Sequence, residues 1–206
     1  MELNPESLQW KDAYKLLVGS ILPRPIAFIT TIDGNGIVNA APFSFFTAIC
    51  AEPMLICFSP MIRGTDGEKK DTLINIEATK EFVVNIVSED FVKQMNDCAI
   101  EYSADVDELE ATGLLKEDSA TVIAPRIKES KVHMECELYQ VLHFGGHPGA
   151  GSLVIGKVKH VHIHDDLYES GRILTEKLKP VGRLAGQMFT KPITDTFELI
   201  RKKEPR

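Results

Sequence analysis

Alternating apolar and polar positions predict β-strands along much of the chain. Val132, Met134, Cys136 and Leu138 interleave with His133, Glu135, Glu137 and Tyr139, the period-two pattern of a half-buried strand. Ile26 to Ile32, Glu81 to Val87 and Ser152 to Ile163 read as further strands. Asp33-Gly34-Asn35-Gly36 is a tight-turn signal, after which Ile37 to Ala40 returns as the partner of the first strand. Between Pro53 and Pro60, Met54-Leu55-Ile56-Cys57-Phe58 is continuously apolar, which predicts a short strand buried on both faces.

Helical spacing is rarer. Phe91, Met95 and Cys98 recur at i, i+4 and i+7 behind Ser88, a capping residue followed by Glu89 and Asp90. Asp71 or Thr72 is placed to cap a short helix running to Ala78. Residues 105–112, ended by Gly113, and residues 167–178 also read as helical, while the charged run 201–206 is expected to fray. Strands with a few interposed helices predict a mainly β fold with α additions, an antiparallel, Greek-key-like barrel. With no composition break and no repeat, residues 1–206 read as a single domain. Its barrel core spans about 20–165 and its C-terminal extension about 166–206.

Composition narrows the function classes. A net charge of −7 over 206 residues argues against a broad nucleic-acid footprint, and no apolar run approaches a membrane span. The opening MELNPESLQW is polar and acidic, unlike a secretory leader, so a cytoplasmic location is the default. Cys50, Cys57, Cys98 and Cys136 are widely separated and read as free thiols rather than disulfides or a zinc site.

Four stretches carry possible chemistry. Gly145 to Gly151 is rich in glycine, but a phosphate-binding glycine loop should open a helix, and this one joins two strands. Arg63 to Thr72 places Lys69 and Lys70 before a helix start, where backbone amides, a hydroxyl and an ammonium can converge on one anion; a solvated charged loop is the plainer reading. His160, His162 and His164 alternate on a strand. They are either zinc ligands, with Asp165 or Asp166, or solvent-facing residues opposite an inward Val161 and Ile163, and no distant Cys or Glu partner is identifiable. No metal site is assigned. Finally, Asn39-Ala40-Ala41-Pro42-Phe43-Ser44-Phe45-Phe46 crowds small residues, a proline, a serine and three aromatics together. Such a segment suits a planar heteroaromatic ligand with a polar edge, or an aromatic turn packed into its own core. No Ser-His-Asp order, HExxH or EF-hand loop is present.

Pro23 to Thr31, Gly36 to Asn39, Ala41 to Phe46, Glu52-Pro53-Met54, Lys70 to Ile76, Glu81 to Asn85, Gly156-Lys157-Val158 and Pro180 to Gly186 together resemble, in order, the flavin reductase-like, FMN-binding split-barrel family. Glu52-Pro53-Met54 stands where that family often has Asp-Pro-Pro. The resemblance implies a split β-barrel homodimer holding FMN non-covalently near the subunit interface. Ala41, Pro42, Phe43, Ser44, Phe45, Phe46 and Thr47 would line the isoalloxazine and ribityl chain, and Ser59 and Arg63 would reach the ribityl or phosphate. Lys70, Asp71 and Thr72 match the phosphate element, and Arg183 and Gly186 a later element near the cofactor. The implied reaction is hydride transfer from NAD(P)H to flavin N5, with no obligatory catalytic side chain. An oxygenase or redox protein is the implied partner. The alternatives are a flavoredoxin-type electron carrier reduced by a protein donor, and a metal-binding module on the three histidines.

Overall fold

The computed structural model describes residues 1–200, so the fraying expected at 201–206 lies outside the described residues. β1 (Ala27–Ile32) and β2 (Val38–Phe43) form the predicted hairpin. Asp33 Oδ1 accepts from the amides of Asn35 and Ile37 at 2.9 and 2.7 Å, and Gly36 takes a φ of 86°, a left-handed value that favours glycine. β3 (Phe46–Cys50), β4 (Leu55–Phe58) and β5 (Glu81–Ile86) follow. After a small hairpin of two-residue strands, β6 (Lys116–Glu117) and β7 (Arg126–Ile127), come the long strands β8 (Val132–His143) and β9 (Ser152–Ile163).

Seven of these strands form one antiparallel sheet in the order β2-β1-β5-β8-β9-β4-β3. Laid flat, its edges would stand about 29 Å apart at 4.8 Å per strand step. Yet edge strands β2 and β3 are joined only by Ser44 and Phe45, three Cα steps that span at most about 11 Å. The edges must therefore meet, and the sheet curls into a barrel with a seam at these two residues. The Ser59 amide donates to Phe45 O at 2.9 Å and pins the seam. Pro42, unsuited to a central strand, sits on an edge strand beside it.

Ala27, Ile29, Phe58, Phe82, Val84 and Cys136 fill the barrel, and α2 (Asp71–Thr79) plugs it with Leu73 and Ile76. Gly156 backs onto Phe82, where any Cβ would strike the ring. The outer face of β1 and β2 carries a second cluster, in which Phe28 and Ala40 meet Phe91, Met95 and Leu109 from α3 (Val92–Asp97), α4 (Glu108–Thr112) and their flanks. β1 is therefore buried on both faces. Cys98 and Cys136 are buried, and all four cysteines are free.

Several expectations need correction. The polar N-terminus contains a helix, α1 (Trp10–Ser20); its only buried residue is Val18, so no amphipathic core pattern announced it. β4 is buried on one face: Ile56 and Phe58 point inward, while Leu55 and Cys57 are half-buried. Ser88 does not cap a helix; it is buried beside Pro180, and α3 begins only at Val92. Lys70, not Asp71 or Thr72, is the N-cap of α2, and no side chain bonds its first amides. The helix expected over 105–112 shrinks to Glu108–Thr112, because Asp107 accepts from the amides of Leu109 and Glu110 and starts it there. Residues 167–178 are not one helix. A 3-10 turn at Asp165–Leu167 leads into β10 (Tyr168–Glu169) and β11 (Arg172–Ile173), and only α5 (Thr175–Leu178) is helical. Ser170 and Gly171, at φ of 50° and 83°, turn the chain where a helix would need to continue.

His133 and Glu135, outward by alternation, are also buried, at 4% and 0% exposed, because the segment around the β6–β7 hairpin covers that end of the sheet. His133 Nδ1 meets Asn85 Oδ1 at 2.9 Å, and burial pushes its pKa down to about 4. Burial opposes ionisation of Glu135, but hydrogen bonds from Thr121, Ala120 and His162 outweigh it and take the pKa to about 2. Glu135 is thus the carboxylate partner of the histidine run that the sequence concealed, 2.5 Å from His162 Nε2. Val161, assigned inward, is 36% exposed, and His164 pairs with Asp166 at 2.6 Å. Among the described residues no group of three His, Cys, Asp or Glu side chains is arranged to hold a metal ion.

Candidate functional site

At the barrel seam a cleft of about 570 Å³ opens beside Ser44 and Phe45. That volume lies within the range of small-molecule sites, roughly 300–1,000 Å³. Its apolar walls come from Phe43 and Phe45 on one side and from Trp10 and Tyr14 of α1 on the other. Tyr14 and Phe45 have ring centroids 6.1 Å apart. Trp10 packs on Gly64 and against Gly149, where a Cβ would come within 2.7 Å of the indole; this close approach explains a glycine in the 145–151 connection. Ser44 and Ser59 supply hydroxyls, and Arg63, Lys70 and Glu101 line the charged end.

A smaller pocket of about 90 Å³ adjoins that end and adds Ala41, Asp71 and Thr72. Together the two cavities gather Ala41, Pro42, Phe43, Ser44, Phe45, Ser59, Arg63, Lys70, Asp71 and Thr72 from four separate stretches of chain. Phe46 and Thr47 belong to β3 and lie outside both linings. Arg183 stacks on Phe189, 4.4 Å from the ring centroid, and lines a different cleft of about 890 Å³ with Lys93, Lys191 and Glu89. Gly186 accepts a hydrogen bond from the Arg183 guanidinium and lines neither seam cavity.

The charged end is closely balanced. Arg63 Nη1 lies 3.4 Å from Asp71 Oδ2; its buried Nε lies 3.2 Å from Asp66 Oδ2 but makes no hydrogen bond. Lys70 Nζ lies 3.1 Å from Glu101 Oε1. Thr72 is buried, and its hydroxyl donates to Asn39 Oδ1 at 2.6 Å.

Two buried charged residues that the sequence did not single out brace this cleft. Arg24, 4% exposed, faces no carboxylate among the described residues. It donates to Val18 O and Ile21 O near the end of α1 at 2.8 and 3.0 Å, to Ser44 Oγ at 3.2 Å and to Leu184 O at 3.0 Å. The electronegative carboxyl end of the helix compensates its charge, and the guanidinium ties α1 to the seam. Glu108, 6% exposed, accepts from the amide of Ala40 and from Asn39 Nδ2. Burial raises its pKa to about 7, with Asp71 pushing the same way. Asn39 links it in turn to Thr72, so α4, β2 and α2 share one polar network behind the cleft.

A curled antiparallel barrel with an aromatic cleft and a charged end at its seam defines a small-molecule-binding β-barrel protein. The model of the flavin reductase-like domain matches residues 18–178, and the chain belongs to that family. Membership implies flavin binding. A protein of Halalkalibacterium halodurans is 44% identical over 203 residues, covering 98% of this chain and 96% of that one. The fold matches the crystal structure of nitrilotriacetate monooxygenase component B from Bacillus cereus with a TM-score of 0.91 at 40% identity, over 97% of this chain and 98% of that one. It matches the Pseudomonas fluorescens 2-nitrobenzoate 2-nitroreductase NbaA with a TM-score of 0.89 at 29% identity, over 100% and 98% of the two chains. The mainly β, antiparallel, split-barrel architecture expected from the sequence is thus the architecture of this family.

Proposed function

We propose that the protein is an NAD(P)H-dependent flavin oxidoreductase that holds FMN non-covalently in the seam cleft. The observation that carries this reading is the union, in one cavity, of aromatic walls with Arg63 and Lys70 at one end. The buried, unsatisfied Arg63 Nε and the uncapped start of α2 fit the phosphate of a flavin mononucleotide. When bound, FMN supplies a ring that accepts hydride from a reduced nicotinamide at N5.

The chain's own work is binding and orientation. Phe43, Phe45, Trp10 and Tyr14 exclude water from the ring faces, and Ser44 and Ser59 offer hydroxyls to its polar edge and side chain. Arg63, aligned by Asp71, and Lys70 neutralise the phosphate. Thr72 contributes through its amide, since Asn39 engages the hydroxyl. No side chain of the cleft needs to exchange a proton for hydride transfer. Phe46, Thr47, Arg183 and Gly186 line neither seam cavity and have no part in this reading of the single chain. In the implied homodimer a second copy covers edge strand β3 and α1, where Ile49, Leu16 and Leu17 are each exposed by 45% or more. The Bacillus cereus relative is named as a component of a monooxygenase, which supports an oxygenase as the consumer of reduced flavin.

The test is an anaerobic absorbance experiment on protein mixed with FMN, then with NADH or NADPH. Prompt bleaching of a bound flavin is the expected result. Flavin that binds but stays oxidised until a protein donor is added would replace the reductase by an electron carrier, and absence of binding would overturn the assignment.

A further inference from the structure

Glu101 sits in the segment between α3 and α4, yet its carboxylate reaches the charged end of the seam cleft. Oε2 accepts from the Thr65 hydroxyl at 2.8 Å, and Oε1 lies 3.1 Å from Lys70 Nζ. A carboxylate that bridges a hydroxyl and an ammonium occupies them as one edge of a phosphate would. The hydrogen bonds from Thr65 and Lys70 hold the Glu101 carboxyl below its ordinary range, with the field of Arg63 adding to the effect.

Counting charges sharpens the point. Arg63 and Lys70 face three carboxylates, those of Asp66, Asp71 and Glu101. A phosphate carrying close to two negative charges would meet these carboxylates at close range, and withdrawal of one would ease its entry. Asp71 is built into the first turn of α2, and Asp66 accepts from the Glu68 amide within its own turn. Glu101 has neither constraint: its side chain is 36% exposed, and it is held by the Thr65 hydroxyl and by Lys70, the ammonium of the charged end itself.

We propose that Glu101 is an internal competitor for the flavin phosphate, a carboxylate that fills the anion site and must swing out for FMN to bind. The inference rests on the FMN reading above and deepens it. Competition weakens retention of the phosphorylated flavin specifically, so the cofactor exchanges rather than staying as a permanent group. That behaviour suits a reductase that hands reduced flavin to a second protein.

The experiment compares wild type, Glu101→Gln and Glu101→Ala in fluorescence titrations with FMN and with riboflavin, which lacks the phosphate. A parallel thermal-shift titration uses inorganic phosphate alone. Both variants should bind FMN roughly 3- to 10-fold more tightly, the scale of one partly exposed ion pair plus relieved repulsion, with riboflavin affinity unchanged. Inorganic phosphate should stabilise the variants more than wild type. Unchanged or weaker FMN binding would overturn the proposal, and equal changes for FMN and riboflavin would reduce Glu101 to a structural role. A wild type that binds neither flavin would overturn the FMN reading instead. In that case the phosphate titration would still decide whether Glu101 competes for an anion.

Discussion

Glu108 should make the protein less stable as pH rises through neutrality. Its side chain is buried between α4 and β2, and two hydrogen bonds to one carboxylate oxygen do not offset the loss of hydration. The folded-state pKa is therefore raised from 4.5 to about 7. An acid with a raised folded pKa binds more protons in the native state than in the unfolded chain between those values, so stability falls with pH across that window. At about 1.4 kcal/mol per unit, the full loss is roughly 3 kcal/mol, complete above pH 7 and absent below pH 4.5. Glu108→Gln keeps an oxygen for Ala40 and Asn39 but removes the titration. Chemical denaturation of both proteins at pH 5 and pH 8 measures the difference. Wild type should lose roughly 2–3 kcal/mol more than the variant, equivalent to about 4–12 °C in Tm. His133 runs the opposite way, its folded pKa being lowered from 6.5 to about 4, so its stabilisation is lost as pH falls through that range. It is common to both proteins and cancels in the comparison. Parallel stability curves for wild type and Glu108→Gln would refute the reasoning.

Three further outcomes follow from the packing. Gly156→Ala should destabilise by about 1–3 kcal/mol through collision with Phe82, and Phe82→Leu in the same chain should recover part of that loss; simple additivity of the two in a denaturation cycle would contradict it. Arg24→Gln should cost about 1–3 kcal/mol and raise protease cleavage within residues 10–22, because α1 loses its tie to Ser44 and Leu184. Unchanged proteolysis would mean that Trp10 alone holds the helix. Lys70→Ala should weaken FMN binding roughly tenfold while leaving riboflavin binding within about twofold, and equal loss for both ligands would move the phosphate away from Lys70.

How much of this was legible in the sequence depended on whether a residue's environment was local. The strands from Ile26, Glu81, Val132 and Ser152 declared themselves because alternation and turn residues are local properties, as did the Asp33–Gly36 turn. The barrel was expected from the run of antiparallel strands, but the place of its seam was not, since it follows from β2 and β3 lying at opposite edges, a consequence of pairing order. His133 and Glu135 read as outward because their strand alternates cleanly; a covering segment some 10 to 15 residues earlier buries them. The cleft was half visible. Ala41 to Phe45 and Arg63 to Thr72 advertised small residues, rings and cations in runs. Trp10, Tyr14, Glu101 and Glu108 arrive singly from distant elements, and nothing in their neighbours marks them; Arg24 lies in a stretch that carries the family resemblance, but its bracing role was not legible there.

The most direct test of the account is a crystal structure of the protein grown with FMN. The account predicts the flavin ring in the seam cleft lined by Phe43, Phe45, Trp10 and Tyr14, with its phosphate against Arg63 and Lys70 and the Glu101 carboxylate displaced. Flavin bound instead in the cleft lined by Arg183 and Phe189, or a phosphate turned away from Arg63 and Lys70, would contradict it.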